Sequence, residues 1–531
     1  MEMTKLETSL HLYQPPLYRG AKGSWKRSFA DAVHDCGGRV TWDLSAVLSI
    51  LAFGYTCGDR TLVNEVKRQP WLSQIGPENE PQLEEIPPHG RLLTSPERIA
   101  EDLCRLLCEE ALIACQQKKE IYVLLSGGLD SRIVAGIMAK LHKEGKIAVK
   151  PICVTWGLKD CRDVVYGRMV ADILGSDWQH VGLSAKDMIA NIEEVTRIGS
   201  LVSPVHLHRV QWLSEVSKDA LVIASSYGDM VGRAEFSGQH LLDLDYLRPA
   251  NPFGLVHNSV VRSAYEGAMN DLRALHRRSL GQPRYVTCEH EMHGHYTRNM
   301  LGQAMSAINY LAQVYQMFTN PKVYSYMWSI HPALRNDQVY AVLLEQLDHR
   351  LARIPWARTN RALVGKTVGA RSNLKKSFHA YESWIGDVLF DRLREYIDPA
   401  WFAETGLYDA VNIRKLAETV KYGQDGKGLY GFAPYGNWVW LAAFRRMAEH
   451  LGSHGISVEL AKPSLSKGGA VSWSIPDIKR SAARRILSRS AFLYSLVRHC
   501  SAPFRGIHRR IHKRILSRRA IRRYPPEKSR G

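Results

Sequence analysis

The chain predicts an α/β protein on a parallel, doubly wound sheet. Short apolar runs alternate with helix-length segments from about residue 121 to 224. Regular alternation of that kind puts helices on both faces of a parallel sheet. One strand-to-helix junction in that region is a tight turn carrying two adjacent glycines, Gly127 and Gly128. The longest apolar run, Leu44 to Phe53, is far short of the roughly 18–20 residues needed to span a bilayer.

The segments follow in order. Residues 1 to about 40 are loop-like, marked by Pro15, Pro16, Gly20, Gly23, Gly37 and Gly38. Leu44 to Phe53 reads as a short helix stopped by Gly54. Residues 70 to 95 are rich in Pro and read as irregular. Ser95-Pro96 opens a helix over 97–117, with Ile99, Leu103, Leu106, Leu107 and Ala111 on one face. Strands are expected at Ile121–Leu125, Ala148–Thr155, Trp178–Leu183 and Ala220–Ala224. Helices are expected at Asp130–His142 and Cys161–Leu174, with two helical segments before the fourth strand. From about 255 to 350 the chain reads as mostly helical.

Composition sets outer bounds. The 531 residues are 45% hydrophobic and 23% charged, as in an ordinary globular protein, which excludes wholesale disorder and collagen. Nine scattered Cys without a CxxC pair argue against a disulfide scaffold and for a reducing, cytoplasmic setting. The net charge is +19, of which +16 lies between Lys479 and Gly531. There Ile507, Ile511 and Ile515 recur among Arg residues, the pattern of a basic amphipathic helix. Such a tail suits a peripheral place on an anionic membrane surface, with nucleic acid the second candidate.

The chemistry concentrates in Ser126-Gly127-Gly128-Leu129-Asp130-Ser131, where a strand ends and a helix begins. Two glycines let successive backbone N–H groups converge on an anion, and the helix adds its positive end. Ser126 and Ser131 offer hydroxyl donors. Asp130 repels phosphate but suits a divalent cation shared with it. This is not a Walker loop: Gly365-Lys366-Thr367 ends like one, but Asn360 stands where its first Gly belongs. Cys288, His290, His293 and His295 are dense in metal-ligand types, yet Gly294 occupies the second His position of HExxH. Solvated or packed helix positions are their expected role. Trp356, Tyr430, Tyr435, Trp438 and Trp440 are expected in a core or a pocket wall.

The SGGLDS stretch resembles the pyrophosphate loop of the ATP pyrophosphatase (PP-loop) superfamily, and its surroundings resemble the synthetase domain of asparagine synthetase. Gly54-Tyr-Thr-Cys-Gly58-Asp59-Arg60-Thr61-Leu62 is similar to the segment closing that family's glutaminase domain. Ser225-Ser226-Tyr227-Gly228-Asp229-Met-Val-Gly232 is similar to its SGEGADExFGG stretch, one residue shorter. Phe318 to Pro332 is similar to its PFLD segment. The resemblance implies three regions: a truncated glutaminase remnant at 1–95, an ATP-pyrophosphatase domain with a helical lobe at 96–478, and the basic tail at 479–531.

It implies ATP and magnesium as cofactors, with Asp130 and Asp229 holding the metal. Ser126, Gly127, Gly128 and Ser131 would hold pyrophosphate. Leu124, Val154, Ser225, Ser226 and Gly228 would line the adenosine side. The family's catalytic cation falls on Arg371, with Lys366, Lys375 and Lys376 as alternatives. The implied reaction joins a small-molecule or peptide carboxylate to ammonia or an amine through an acyl-adenylate. Position two is Glu2, where glutamine-dependent relatives carry their Cys nucleophile, so ammonia from this chain's own glutamine hydrolysis is not expected. Tyr227 and Asn320 replace two family carboxylates. A nucleic-acid-modifying enzyme of the same superfamily and a non-catalytic nucleotide-binding homologue are the alternative readings.

Overall fold

Where the sequence alternates, the chain builds a five-stranded sheet whose pairings are all parallel. The computed structural model describes residues 13, 15–21, 23–84, 88–235, 251, 253–312, 314–422 and 434–460. They belong to one compact unit, Met1–Ala461; a second unit, Lys462–Gly531, holds the basic tail and lies outside the described residues. Expectations for Glu2 and Tyr430 lie outside them too.

The elements that position the site are α1 (Leu44–Phe53), α2 (Pro96–Ala114), β1 (Ile121–Leu124), α3 (Leu129–Lys143), β2 (Ile152–Gly157), α4 (Arg162–Leu174), β3 (Asp177–Gly182) and α5 (Lys186–Arg197). After them come β4 (Leu221–Ala224), α6 (Gly228–Val231), α7 (Asn258–Arg277), β5 (Val314–Gln316), α8 (Asp337–Leu347) and α9 (Pro434–Ser453). Strand order across the sheet is β5-β4-β1-β2-β3.

Local chemistry accounts for these boundaries. Gly54, at φ 85°, closes α1 in the left-handed conformation that glycine adopts freely. Ser95 caps α2, its hydroxyl accepting from Arg98 N at 3.2 Å, and Pro96 takes a first-turn place where no N–H is needed. Cys161 caps α4. Four expectations need correction. The second strand starts at Ile152, not Ala148, because Pro151 has no N–H to give a ladder. Between β3 and β4 there is one α-helix; the second segment is a pair of 3-10 turns, Pro204–His206 and Val210–Glu215. The helical stretch from 255 also contains β5, whose three residues are too few to show a period. The Pro-rich segment is not wholly irregular, since Ser73–Ile75 pairs with Pro81–Leu83.

Alternate strand residues enter two different cores. Ile121, Val123, Leu221 and Ile223 pack with α2, α3, α4 and α8. Tyr122, Leu124, Val154, Val222 and Ala224 pack with α5 and α9. Trp438 and Trp440 are core residues, each 1% exposed. Outside the sheet, α1 packs on α7, and Ser45 Oγ donates to Ala264 O at 2.8 Å. No helix among the described residues is long and apolar enough to cross a membrane.

Arg132, in the first turn of α3, is fully buried and donates to the carbonyls of Leu351, Ile354, Pro355 and Gly127. It stitches the glycine turn to the chain after α8. Arg132→Met strands those carbonyls, each costing about 1 kcal/mol or more. We expect a stability loss on the order of 3 kcal/mol, read as a lower urea midpoint with an unchanged slope.

Candidate active site

In this strand order, β1 and β4 are neighbours whose next strands, β2 and β5, lie toward opposite edges of the sheet, which opens a crevice at their carboxyl ends. Val123 pairs with Ile223, so the two strands end level. Ser126 to Ser131 leaves β1, and Ser225 to Asp229 leaves β4.

The glycine turn is held by its own serines. Ser126 N donates to Ser131 Oγ at 3.1 Å, Gly128 N donates to Ser126 Oγ at 3.1 Å, and the two hydroxyls lie 3.0 Å apart. Gly128 is the N-cap of α3 and supplies no side chain, so the helix amides face the crevice uncapped. Gly127 is obligatory: a Cβ there would meet Ala357 Cβ at 2.7 Å and Arg162 O at 3.1 Å.

Gly228 brings the two halves together. A Cβ on it would stand 2.6 Å from Asp130 Cβ and 2.7 Å from Asp130 Oδ1. The Asp130 side chain therefore lies directly against the backbone that carries Asp229. Asp130 Oδ1 is buried and has no hydrogen-bond partner among the described residues. Burial, and then the Asp130 charge, push the Asp229 carboxyl up to about 7. Two acids crowded together, one with an orphaned oxygen, fit a divalent cation between them. Among the described residues no group of three or more His, Cys, Asp or Glu could hold a metal alone. The remaining ligands would have to come from phosphate and water, as magnesium commonly takes them.

The other expected residues fall into two sets. Leu124 and Val154 pair across β1 and β2 on one face; Val154 is 1% exposed, a core residue at the crevice floor. Ser225 and Ser226 are half-buried, and Ser226 N donates to Gln316 Oε1 at 3.1 Å. Lys366, Arg371, Lys375 and Lys376 all lie exposed on one strap, residues 355–378. Ala357 N donates to Gly127 O at 3.0 Å at one end of it, and Leu158 N donates to Phe378 O at 2.9 Å at the other. The strap thus runs from the glycine turn to the end of β2. Arg371 is fixed by its backbone, its N–H donating to Tyr166 Oη at 3.3 Å and its carbonyl accepting from Asn360 Nδ2 at 3.2 Å. Lys375 is paired with Asp160 at 2.9 Å. Tyr227 is 1% exposed and stacks on Tyr13 at 5.6 Å, and Asn320 caps the helix Pro321–Ser329.

Sequence reasoning missed three contributors. Asp163 Oδ1 accepts from Gly127 N at 3.1 Å, and its place in the first turn of a helix leaving the same sheet edge was a usable signal. Gln316 sits on the strand too short to find. Arg233 lies beside Asp130, and nothing in its neighbourhood announces it; Trp356, expected in a core or a pocket wall, packs on Arg233. The histidine group is core: His290, His293 and His295 are buried, and burial pulls His290 and His295 down to about 3.

A parallel sheet with a glycine turn at its switch point defines the class: a PP-loop-like α/β fold. Residues 105–209 match the asparagine synthase family model. The asparagine synthetases (glutamine-hydrolyzing) of Homo sapiens and Gallus gallus are 29% and 30% identical over 116 residues. That of Pongo abelii is 29% identical over the same length. Each match covers 21% of this chain and 21% of the relative. The central segment, from within α2 to the turns before β4, therefore carries the similarity to asparagine synthases.

Asp229 also sets a pH dependence. Its folded-state value, about 7, lies above the roughly 3.9 of a free Asp, so folding favours the protonated form. That contribution is present below about pH 4 and is lost as pH rises through about 7. Asp229→Asn should therefore stabilise the ligand-free protein relative to wild type at pH 8, by on the order of 2 kcal/mol, and little at pH 4.5. Paired urea titrations at the two pH values check it.

Proposed function

We propose that the chain is an ATP-dependent carbon–nitrogen ligase, adenylating a carboxylate and passing the acyl group to ammonia or an amine. The observation that supports this most is the convergence of the glycine turn with Asp130 and Asp229 at the switch point of a synthetase-type sheet. In this reading the β and γ phosphates lie against the turn, taking hydrogen bonds from its amides and from Ser126 and Ser131. Leu124, Val154 and the Ser225-Ser226-Gly228 segment border the adenosine. Magnesium held by Asp130 and Asp229 would offset the negative charge building on pyrophosphate.

A substrate carboxylate oxygen attacks the α phosphorus, the bond to the bridging oxygen breaks, and pyrophosphate leaves. The nitrogen lone pair of ammonia or a neutral amine then attacks the acyl carbon. AMP departs with its oxygen, and the ammonium proton passes to solvent. The strap supplies fixed positive charge. Arg371 stays cationic at any ordinary pH, so it stabilises charge and does not act as an acid or base. Lys366 is the alternative for that place.

Asp130→Asn keeps a side chain that suits the turn but removes the charge. Formation of AMP and pyrophosphate should fall by orders of magnitude with an unchanged melting temperature. Substantial residual turnover would remove Asp130 from the reaction. Ammonium and small amines should support amide formation; glutamine as sole donor should give no glutamate.

Arg371→Ala should raise the barrier by about 2–4 kcal/mol, as expected for a preorganised charge, with ATP affinity nearly unchanged. Steady-state rates and equilibrium nucleotide binding measure the two effects separately. A wild-type rate for Arg371→Ala with a large loss in Lys366→Ala would assign the charge to the lysine.

A further inference from the structure

We infer that Arg233 is a positioning residue of this site: it fixes Asp130 and, through Trp356, sets the strap over the glycine turn. Arg233 is 1% exposed. One guanidinium nitrogen lies 3.5 Å from Asp130 Oδ2, and another lies 3.2 Å from Asp337 Oδ1 and 3.8 Å from Glu235 Oε2. Its Cζ sits 5.3 Å from the Tyr340 ring centroid and 5.1 Å from that of Trp356. Tyr340 in turn donates to Gly228 O at 2.9 Å. Arg358 packs on the same Trp356 ring at 4.8 Å and donates to Glu235 Oε1 at 2.9 Å. Ala357, between Trp356 and Arg358, donates to Gly127.

A single planar cation thus reaches the turn carboxylate, the backbone under Asp229, the start of α8 and the base of the strap. Position, more than charge, is what these contacts require. A lysine ammonium keeps the charge but has no flat face to lie on two aromatic rings and no fork to meet two carboxylates. Arg233 therefore acts through Asp130 and Trp356 and need not touch the nucleotide.

The reaction consequence rests on the ligase reading; the binding consequence does not. The test uses the full chain and the variants Arg233→Lys, Arg233→Met and Trp356→Leu. Magnesium pyrophosphate is titrated calorimetrically, and trypsin cleavage within residues 358–371 is followed with and without it. Wild type should bind pyrophosphate and become protected there. Both Arg233 variants should bind at least tenfold more weakly. Trp356→Leu should remain cleavable at saturating pyrophosphate even where affinity falls only about threefold. Melting temperatures identify any variant that is simply unfolded, and Trp356→Leu carries the test if the Arg233 variants are. An Arg233→Lys affinity within threefold of wild type, or full protection in Trp356→Leu, would overturn the inference. If wild type binds pyrophosphate yet forms no AMP with any carboxylate, the ligase reading falls and this one stands. If wild type binds none, both fall.

Discussion

The missing Cβ of Gly228 is the constraint on which the site depends. Asp130 occupies the space that any other residue at 228 would fill. That contact joins the segment leaving β1 to the segment leaving β4 and sets the two carboxylates side by side. The crevice follows from strand order; its chemistry follows from this one close approach. Gly127 plays the matching part toward the strap, since only a residue without a side chain lets Ala357 lie so near.

The electrostatics of the crevice are opposed within a few ångströms. Asp130, Asp229, Asp163 and Glu235 bring negative charge to a place where a polyphosphate would lie. Arg233, Arg358 and the uncapped start of α3 oppose it. The strap itself, residues 355–378, carries six Lys or Arg and no acid. Acids on the sheet side and bases on the strap side suit a ligand that is a metal–phosphate complex better than either ion alone.

Much of this was legible in the sequence. The strands β1, β2, β3 and β4, with α3 and α4, were found from the alternation of short runs with helix-length segments, and α2 because its apolar positions repeat at helical spacing. The glycine turn stood out because the whole Ser-Gly-Gly-Leu-Asp-Ser pattern sits where a strand ends and a helix begins. Asp229 was found only through family resemblance. β5 escaped because three residues show no period, and Gln316 escaped with it. Arg233, and the contact by which Trp356 serves it, escaped for a different reason. Their roles are created by tertiary contacts between residues more than 100 apart, and no local pattern encodes these. The histidines illustrate the opposite error to avoid, since a dense run of ligand types proved to be packing around Glu289, which pairs with His89 and Arg335 at 2.6 Å each.

The pairing of β1 with β4 joins residues about 100 positions apart, whereas β1 and β2 are separated by about 30. Closing the longer loop costs more chain entropy and awaits more of the chain. During synthesis from the N-terminus, β1, α3, β2, α4 and β3 have their neighbours early. The Asp130–Gly228 contact waits for β4, and the strap's seat on Gly127 waits for residue 357. Until then the edge of β1 that β4 will cover presents unpaired N–H and C=O groups. The same topology that opens the crevice thus makes it close later than the β1-β2-β3 half of the sheet, leaving the nascent chain an exposed edge at the candidate site.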